Sequence, residues 1–142
     1  MQGKHGFTLI EIILVVALVA LIGGIASPFL SNFVLRNRYE TTTDALLSSL
    51  RKAQQYSVQG KDNVVWGVCY TANTIRVYRG SCLVPTSAED FAVPTTITVT
   101  GLNDTTFSRL RGEPSAALSI TIASAIGSRQ VTVNAAGMIE SD

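Results

Sequence analysis

The sequence has little of what enzymes and metal sites are built from. Its 142 residues include one histidine, at position 5, and two cysteines, Cys69 and Cys82. No Ser–His or Cys–His pair is evident for nucleophilic catalysis, and two cysteines without histidine partners do not make a zinc site. The acidic residues are scattered and have neither the spacing of a calcium loop nor that of a paired-carboxylate site. The sequence therefore predicts a protein that is not an enzyme and has no metal or cofactor.

Charge is also scarce. Charged residues make up 15 % of the chain, and the formal net charge of +1 does not by itself indicate a nucleic-acid-binding surface. Hydrophobic residues make up 46 %, and residues 12–26 contain no charged or strongly polar side chain. The chain thus consists of an apolar N-terminal rod and a polar remainder of about a hundred residues, enough to bury a modest core.

Three interpretations compete for residues 1–30. A signal peptide fits the small-x-small pattern of Gly24, Ile25 and Ala26, and a plain membrane anchor fits the apolar run from Phe7 to Ala26, about 30 Å long as a helix. All three interpretations expect a short polar stretch with a positive residue, here Lys4, before the apolar run. Neither of these first two explains Glu11, because an ionisable residue in a membrane span is costly and by default indicates a function.

The third interpretation accounts for the whole segment. Residues 6–11, Gly-Phe-Thr-Leu-Ile-Glu, resemble the prepilin peptidase recognition site of type IV pilins. In that family a short basic leader ends in glycine, an aromatic residue follows, and a glutamate stands at the fifth mature position. The resemblance implies a leader of residues 1–6, cleavage after Gly6, and N-methylation of the new amino terminus on Phe7. A side-chain-free residue at Gly6 lets the backbone enter a tight active site.

The resemblance also gives Glu11 and Pro28 a role. The carboxylate of Glu11 is expected to neutralise the Phe7 ammonium of a neighbouring subunit or its own. Since a buried charge is tolerated only when it is paired, this contact would set the axial register of a filament. Pro28 resembles the proline that kinks the pilin helix near the outer membrane boundary, and a proline at this position interrupts helical hydrogen bonding.

By this resemblance the chain is a structural subunit, a minor pilin or pseudopilin of a type IV pilus, a type II secretion system or a DNA-uptake filament. Its expected partners are prepilin peptidase, other pilin subunits, the membrane, an inner-membrane platform protein and an assembly ATPase. It would wait in the cytoplasmic membrane with its C-terminal domain outside and then enter a filament on the cell surface or in the periplasm. A signal-anchored exported domain is the weaker alternative.

The remainder predicts an α+β fold in which a long helix packs on an antiparallel sheet. Helical spacing continues after Pro28, and Leu46, Leu50 and Ala53 form an apolar stripe. From residue 63 the period changes to two, as in strands with one wet face. The expected segments are a leader at 1–6, a transmembrane and filament-core helix at 7–30, an amphipathic continuation at 31–60 and a sheet head at 61–142.

Turns and loops divide the predicted strands. Residues 71–73 and 134–137 predict hairpin turns, whereas residues 80–95 and 101–117 contain Gly, Pro, Asn and Asp and predict loops. The order of helix, hairpin, loop and Thr/Val-rich strands loosely resembles the pseudopilin H family of type II secretion.

The two cysteines leave two outcomes open. An even count in an exported domain favours a Cys69–Cys82 disulfide. If residues 72–73 form the hairpin centre, however, Cys69 faces Arg76 and the sulfurs are too far apart. A bend at residues 80–81 could return Cys82 over the sheet and restore the pairing.

Arginines are the remaining candidates for a binding surface. Arg76, Arg79, Arg109, Arg111 and Arg129 would form a basic patch if the fold gathered them. The alternative function is therefore a tip or minor subunit that binds DNA or a surface through Arg109, Arg111 and Arg129. The favoured interpretation, however, is that these arginines are simply solvated side chains on the surface of the head.

Overall fold

The fold is given by a computed structural model that describes residues 6–142, with the side chains of residues 25–29 excepted. Residues 1–5 of the expected leader lie outside the described part. One long helix, α1, runs from Leu9 to Val58, and a short 3-10 helix covers Lys61–Asn63. Eight strands follow: β1 (Trp66–Thr71), β2 (Thr74–Gly80), β3 (Pro85–Ala92), β4 (Thr98–Thr100), β5 (Thr105–Phe107), β6 (Leu118–Ser124), β7 (Gly127–Val133) and β8 (Ile139–Ser141). The chain therefore has an α+β fold.

The strands form two antiparallel four-stranded sheets. The first sheet has the order β3-β2-β1-β5 and the second the order β4-β6-β7-β8. The predicted hairpin turns are present: Ala72 and Asn73 connect β1 to β2 with positive φ angles of 47° and 57°, and residues 134–137 connect β7 to β8. Period-two alternation predicted β1, β2, β4, β6 and β7, but it does not say which strands pair, and the expectation of a single sheet was too simple.

The chain divides into two compact units between Leu35 and Arg36. The second unit, residues 36–142, is called the head below. The predicted stripe of Leu46, Leu50 and Ala53 is fully buried in it. These side chains belong to one core cluster with inward-facing strand residues, among which the largest are Trp66, Phe107, Ile75, Ile120 and Ile122.

The prediction of a loop over residues 80–95 was wrong for most of that range. Pro85–Ala92 is β3, the edge strand of the first sheet, paired with β2. An edge strand tolerates proline and charge because one side of its backbone needs no partner. The charge of Asp90 is also neutralised across the sheet, because Asp90 forms an ion pair with Arg76. Thr105–Phe107 is likewise a strand, inside the expected loop at 101–117.

The outer face of the first sheet is only partly exposed to solvent. Cys69, Tyr78 and Cys82 form a second, smaller buried cluster apart from the main core. Tyr78 pairs with Gly67 across β1 and β2, and both are buried. Four consecutive residues of β1, 66–69, are therefore buried, where simple alternation predicts two.

Candidate processing and assembly site

The expected cleavage position is exposed. Gly6 precedes the helix, and no described atom outside its chain neighbours lies within 4 Å of the point where a Cβ would be. Packing among the described residues therefore does not require a glycine here. Phe7 is 81 % exposed, so the bond between the two residues is open to an enzyme on this part of the chain.

Thr8 immediately precedes α1 and accepts its first hydrogen bonds. Its carbonyl oxygen accepts hydrogen bonds from the backbone N–H of Glu11, at 3.1 Å, and of Ile12, at 3.3 Å. Glu11 thus lies in the first turn, where the positive end of the helix dipole favours a carboxylate. Within the described part of the chain, this carboxylate has no ion-pair partner.

Phe7 and Glu11 share one side of the helix start. Together with Ile12, Val15 and Val16 they line an open groove of about 280 Å³. Glu11 is the one ionisable residue among these five. The arrangement presents a carboxylate in an otherwise apolar groove, beside Phe7, the residue that the sequence predicts as the mature amino terminus.

The helix beyond this groove is apolar on all sides. Every large apolar side chain from Leu9 to Ile22 exposes more than half of its surface. A helix that is hydrophobic all round needs an apolar environment or neighbouring helices to cover it. None of the helices in the described part of the chain has both the length and the apolar character needed to span a membrane.

Pro28 does not end the helix, because α1 continues without a break to Val58. The expected kink falls in residues 25–29, whose side chains lie outside the described residues, and it stays a prediction.

The disulfide is present. Cys69 and Cys82 are bonded, with their Cα atoms 6.2 Å apart. Cys69 does face Arg76 in the hairpin, as the register predicts. The chain then turns after Gly80, which has a φ of 95°, and this turn returns Cys82 to the sheet. The Arg76 guanidinium holds the turn by donating to the carbonyl oxygen of Cys82 at 3.0 Å.

The three candidate DNA-contacting arginines occupy two different settings. Arg109 and Arg111 lie in the loop after β5, and Arg109 donates to the side-chain oxygen of Asn63. Arg129 lies in β7, 5.8 Å from the centre of the Tyr39 ring. Two further arginines are neutralised by carboxylates, Arg76 by Asp90 at 2.7 Å and Arg79 by Asp62 at 2.9 Å.

Charged contacts also join α1 to the first sheet. Lys52 of α1 forms an ion pair with Glu89 of β3, and the Tyr56 hydroxyl donates to the same carboxylate at 3.3 Å. The hydrogen bond from Lys52 lowers the pKa of Glu89, and the hydrogen bond from Arg76 lowers the pKa of Asp90. Over the described residues, no group of three or more His, Cys, Asp or Glu side chains is arranged to hold a metal ion.

Sequence analysis missed one contact that organises the head. The side-chain amide of Gln54 donates to the carbonyl oxygens of Gly112, at 2.9 Å, and Gly137, at 2.8 Å. These glycines are 58 and 83 residues away from Gln54. The one feature of the local sequence that could have indicated these contacts is that each glycine lies in a turn-forming stretch.

Comparison with known proteins agrees with the N-terminal segment. Residues 1–27 match the family described as "Prokaryotic N-terminal methylation motif". No curated protein and no solved structure matches the chain. The match supports a type IV pilin-like protein and points to a structural role rather than to an enzyme.

Proposed function

We propose that this chain is a minor pilin or pseudopilin, the structural subunit of a type IV pilus, a type II secretion system or a DNA-uptake filament. Prepilin peptidase cleaves it after Gly6, and Phe7 is N-methylated. The observation that carries this proposal is the methylation motif over residues 1–27, joined directly to a helix whose large apolar side chains are exposed.

The subunit is held in the cytoplasmic membrane by residues 7–30, with the head outside. A platform protein and an assembly ATPase then move it into the filament, where neighbouring helices cover the apolar surface. This transfer moves the apolar side chains of α1 from the membrane into the filament core. Because both environments are apolar, the transfer costs little hydrophobic free energy.

Glu11 supplies the register in this proposal. Burying an unpaired carboxylate in an apolar filament core costs roughly several kcal/mol. The favoured axial position of a subunit is therefore the one that brings Glu11 next to the Phe7 ammonium of a neighbour. The groove shared by Phe7 and Glu11 supports this role, because it contains both members of the pair on one side of the helix.

The test is the assembly of a Glu11→Ala variant in cells. The variant should be cleaved normally but should be missing from sheared filaments on immunoblots. Glu11→Gln should behave in the same way, because it keeps the shape and removes the charge. Glu40→Gln is the matched control, since Glu40 is an exposed glutamate of the same helix that pairs with Arg36 one turn earlier. Normal incorporation of both Glu11 variants would show that the register argument is wrong.

A further inference from the structure

Two loops of the head meet the end of α1 at one place. Gln54 donates hydrogen bonds to the carbonyl oxygens of Gly112 and Gly137. These two bonds connect the loop after β5 and the turn after β7 to the helix. A methyl group on Gly112 would come within 2.8 Å of Cγ2 of Val58, the last residue of α1. The three segments are therefore in direct contact.

Apolar side chains project from this meeting point. Leu110 is 80 % exposed, and Val58 and Met138 are exposed as well. Leu110 and Met138 each lie within two residues of the glycines that Gln54 binds. Leu110 also has a φ of 69°, a left-handed conformation that is unfavourable for leucine. The head thus keeps an apolar side chain in solvent on a strained backbone, which is a feature that calls for a function.

Positive charge flanks Leu110 on both sides. Arg109 donates to Asn63, an uncharged partner, and it forms no ion pair with any carboxylate among the residues described. The side chain of Arg111 is 78 % exposed and forms a long ion pair with Glu113, 3.7 Å from nitrogen to oxygen, so its guanidinium group stays open to other anions as well. The residues Val58, Arg109, Leu110, Arg111 and Met138 are called the loop surface below.

We propose that the loop surface docks the head onto a membrane surface that contains anionic lipids. Leu110, Val58 and Met138 would enter the boundary between head groups and acyl chains, and the guanidinium groups of Arg109 and Arg111 would bind lipid phosphates. At this boundary anionic head groups lie next to acyl chains, so a surface that combines positive charge with apolar side chains matches its chemistry. Nucleic acid would use the arginines but would gain nothing from three aliphatic side chains.

This proposal depends on the head alone. Its residues lie between 58 and 138, and none belongs to the N-terminal methylation motif. It can therefore fail while the filament role stands, and the reverse also holds.

The experiment uses the full chain in phosphatidylcholine vesicles, anchored by its apolar helix. Separate fluorescent vesicles, with or without phosphatidylglycerol, are then added, and their capture is measured at equal amounts of protease-accessible head. We expect capture of phosphatidylglycerol vesicles only, decreasing as salt is raised. Leu110→Gly should reduce the apparent affinity about tenfold, and Arg111→Gln about fivefold.

The variants separate binding from folding. Glycine suits a φ of 69° better than leucine does, so Leu110→Gly should fold at least as well as the unchanged chain. Leu83→Gly is the matched control, because Leu83 is 79 % exposed in another loop, and Arg51→Gln is the control for charge. Both should capture vesicles normally.

Three results would overturn the proposal. Capture that is unchanged in Leu110→Gly would show that the apolar component has no role. Binding of duplex DNA that Arg111→Gln weakens, without capture of vesicles, would make this a nucleic-acid surface. Association of heads with one another that Leu110→Gly abolishes would make the occupant a second copy of the chain.

Discussion

The Tyr78 ring lies directly over Gly67 on the outer face of the first sheet. A Cβ on Gly67 would stand 2.6 Å from the ring carbon that carries the hydroxyl group, and 2.9 Å from the carbonyl oxygen of Thr105. No such contact can be accommodated without displacement of the ring or the strand. The glycine is thus what allows Tyr78 to be buried beside the disulfide.

Gly67→Ala should therefore lower the free energy of unfolding by about 1–3 kcal/mol, the usual cost of overpacking. Urea denaturation monitored by circular dichroism would measure it. In a Tyr78→Ala background the same substitution should cost less, because the ring is gone and only the Thr105 contact remains. Equal costs in both backgrounds would show that Tyr78 is not what excludes a side chain at position 67.

The Tyr78 hydroxyl gives a pH-dependent prediction. It donates to Asp104, and burial, followed by that hydrogen bond, raises the pKa of Tyr78 above its ordinary value. The folded state then keeps the phenol proton at a pH where the unfolded state loses it. This contribution is complete below about pH 10 and is lost as the pH rises further.

Tyr78→Phe should consequently cost about 1–2 kcal/mol near neutral pH and should reduce the loss of stability above about pH 10. Thermal melting at several alkaline pH values would show both effects. Some alkaline loss should persist in the variant, because the pKa of Lys52 is also raised, chiefly by its hydrogen bond to Glu89. An alkaline profile parallel to that of the unchanged chain would contradict the assignment to Tyr78.

Gln54→Leu tests the contact that joins the loops to the helix. The substitution leaves the carbonyl oxygens of Gly112 and Gly137 without their donor, so we expect a loss of about 1–3 kcal/mol in unfolding free energy. Gln55→Leu is the matched control, because Gln55 is the exposed neighbour of Gln54. Hydrogen exchange should become faster in both loops of the first variant only. A uniform effect over the whole head would show that the contact does not act locally.

The disulfide should contribute substantially to the stability of the head. Cys69 and Cys82 are 13 residues apart, and closing a loop of this size is worth about 3 kcal/mol in the chain-entropy model. Reduction of the unchanged chain and the double variant Cys69→Ala/Cys82→Ala should therefore lower the melting temperature by similar amounts. Alkylation that reveals two free thiols in the exported protein would contradict the pairing.

The parts of the fold that the sequence predicts are those that depend on local pattern. The stripe of Leu46, Leu50 and Ala53 is set by helical spacing, and the turn at Ala72–Asn73 is indicated by Asn73, a residue type that tolerates positive φ. The candidate site is predictable for the same reason, since Gly6, Phe7 and Glu11 lie within one short segment.

The parts that it misses depend on distant partners. Pro85–Ala92 is poor in strand-forming residues, and it becomes a strand because β2 offers a free edge and Arg76 pairs with Asp90. The contacts of Gln54 join positions far apart in the chain. The division of eight strands into two sheets likewise requires pairings that period-two alternation does not specify.

The most direct test of the proposed function is the mass of the mature amino terminus. The chain would be purified from cells that contain prepilin peptidase, digested and sequenced by tandem mass spectrometry. Our proposal predicts that Phe7 is the first residue and bears an N-methyl group. A mature chain that begins at Met1, or one that begins near Ser27 after cleavage by signal peptidase, would contradict it.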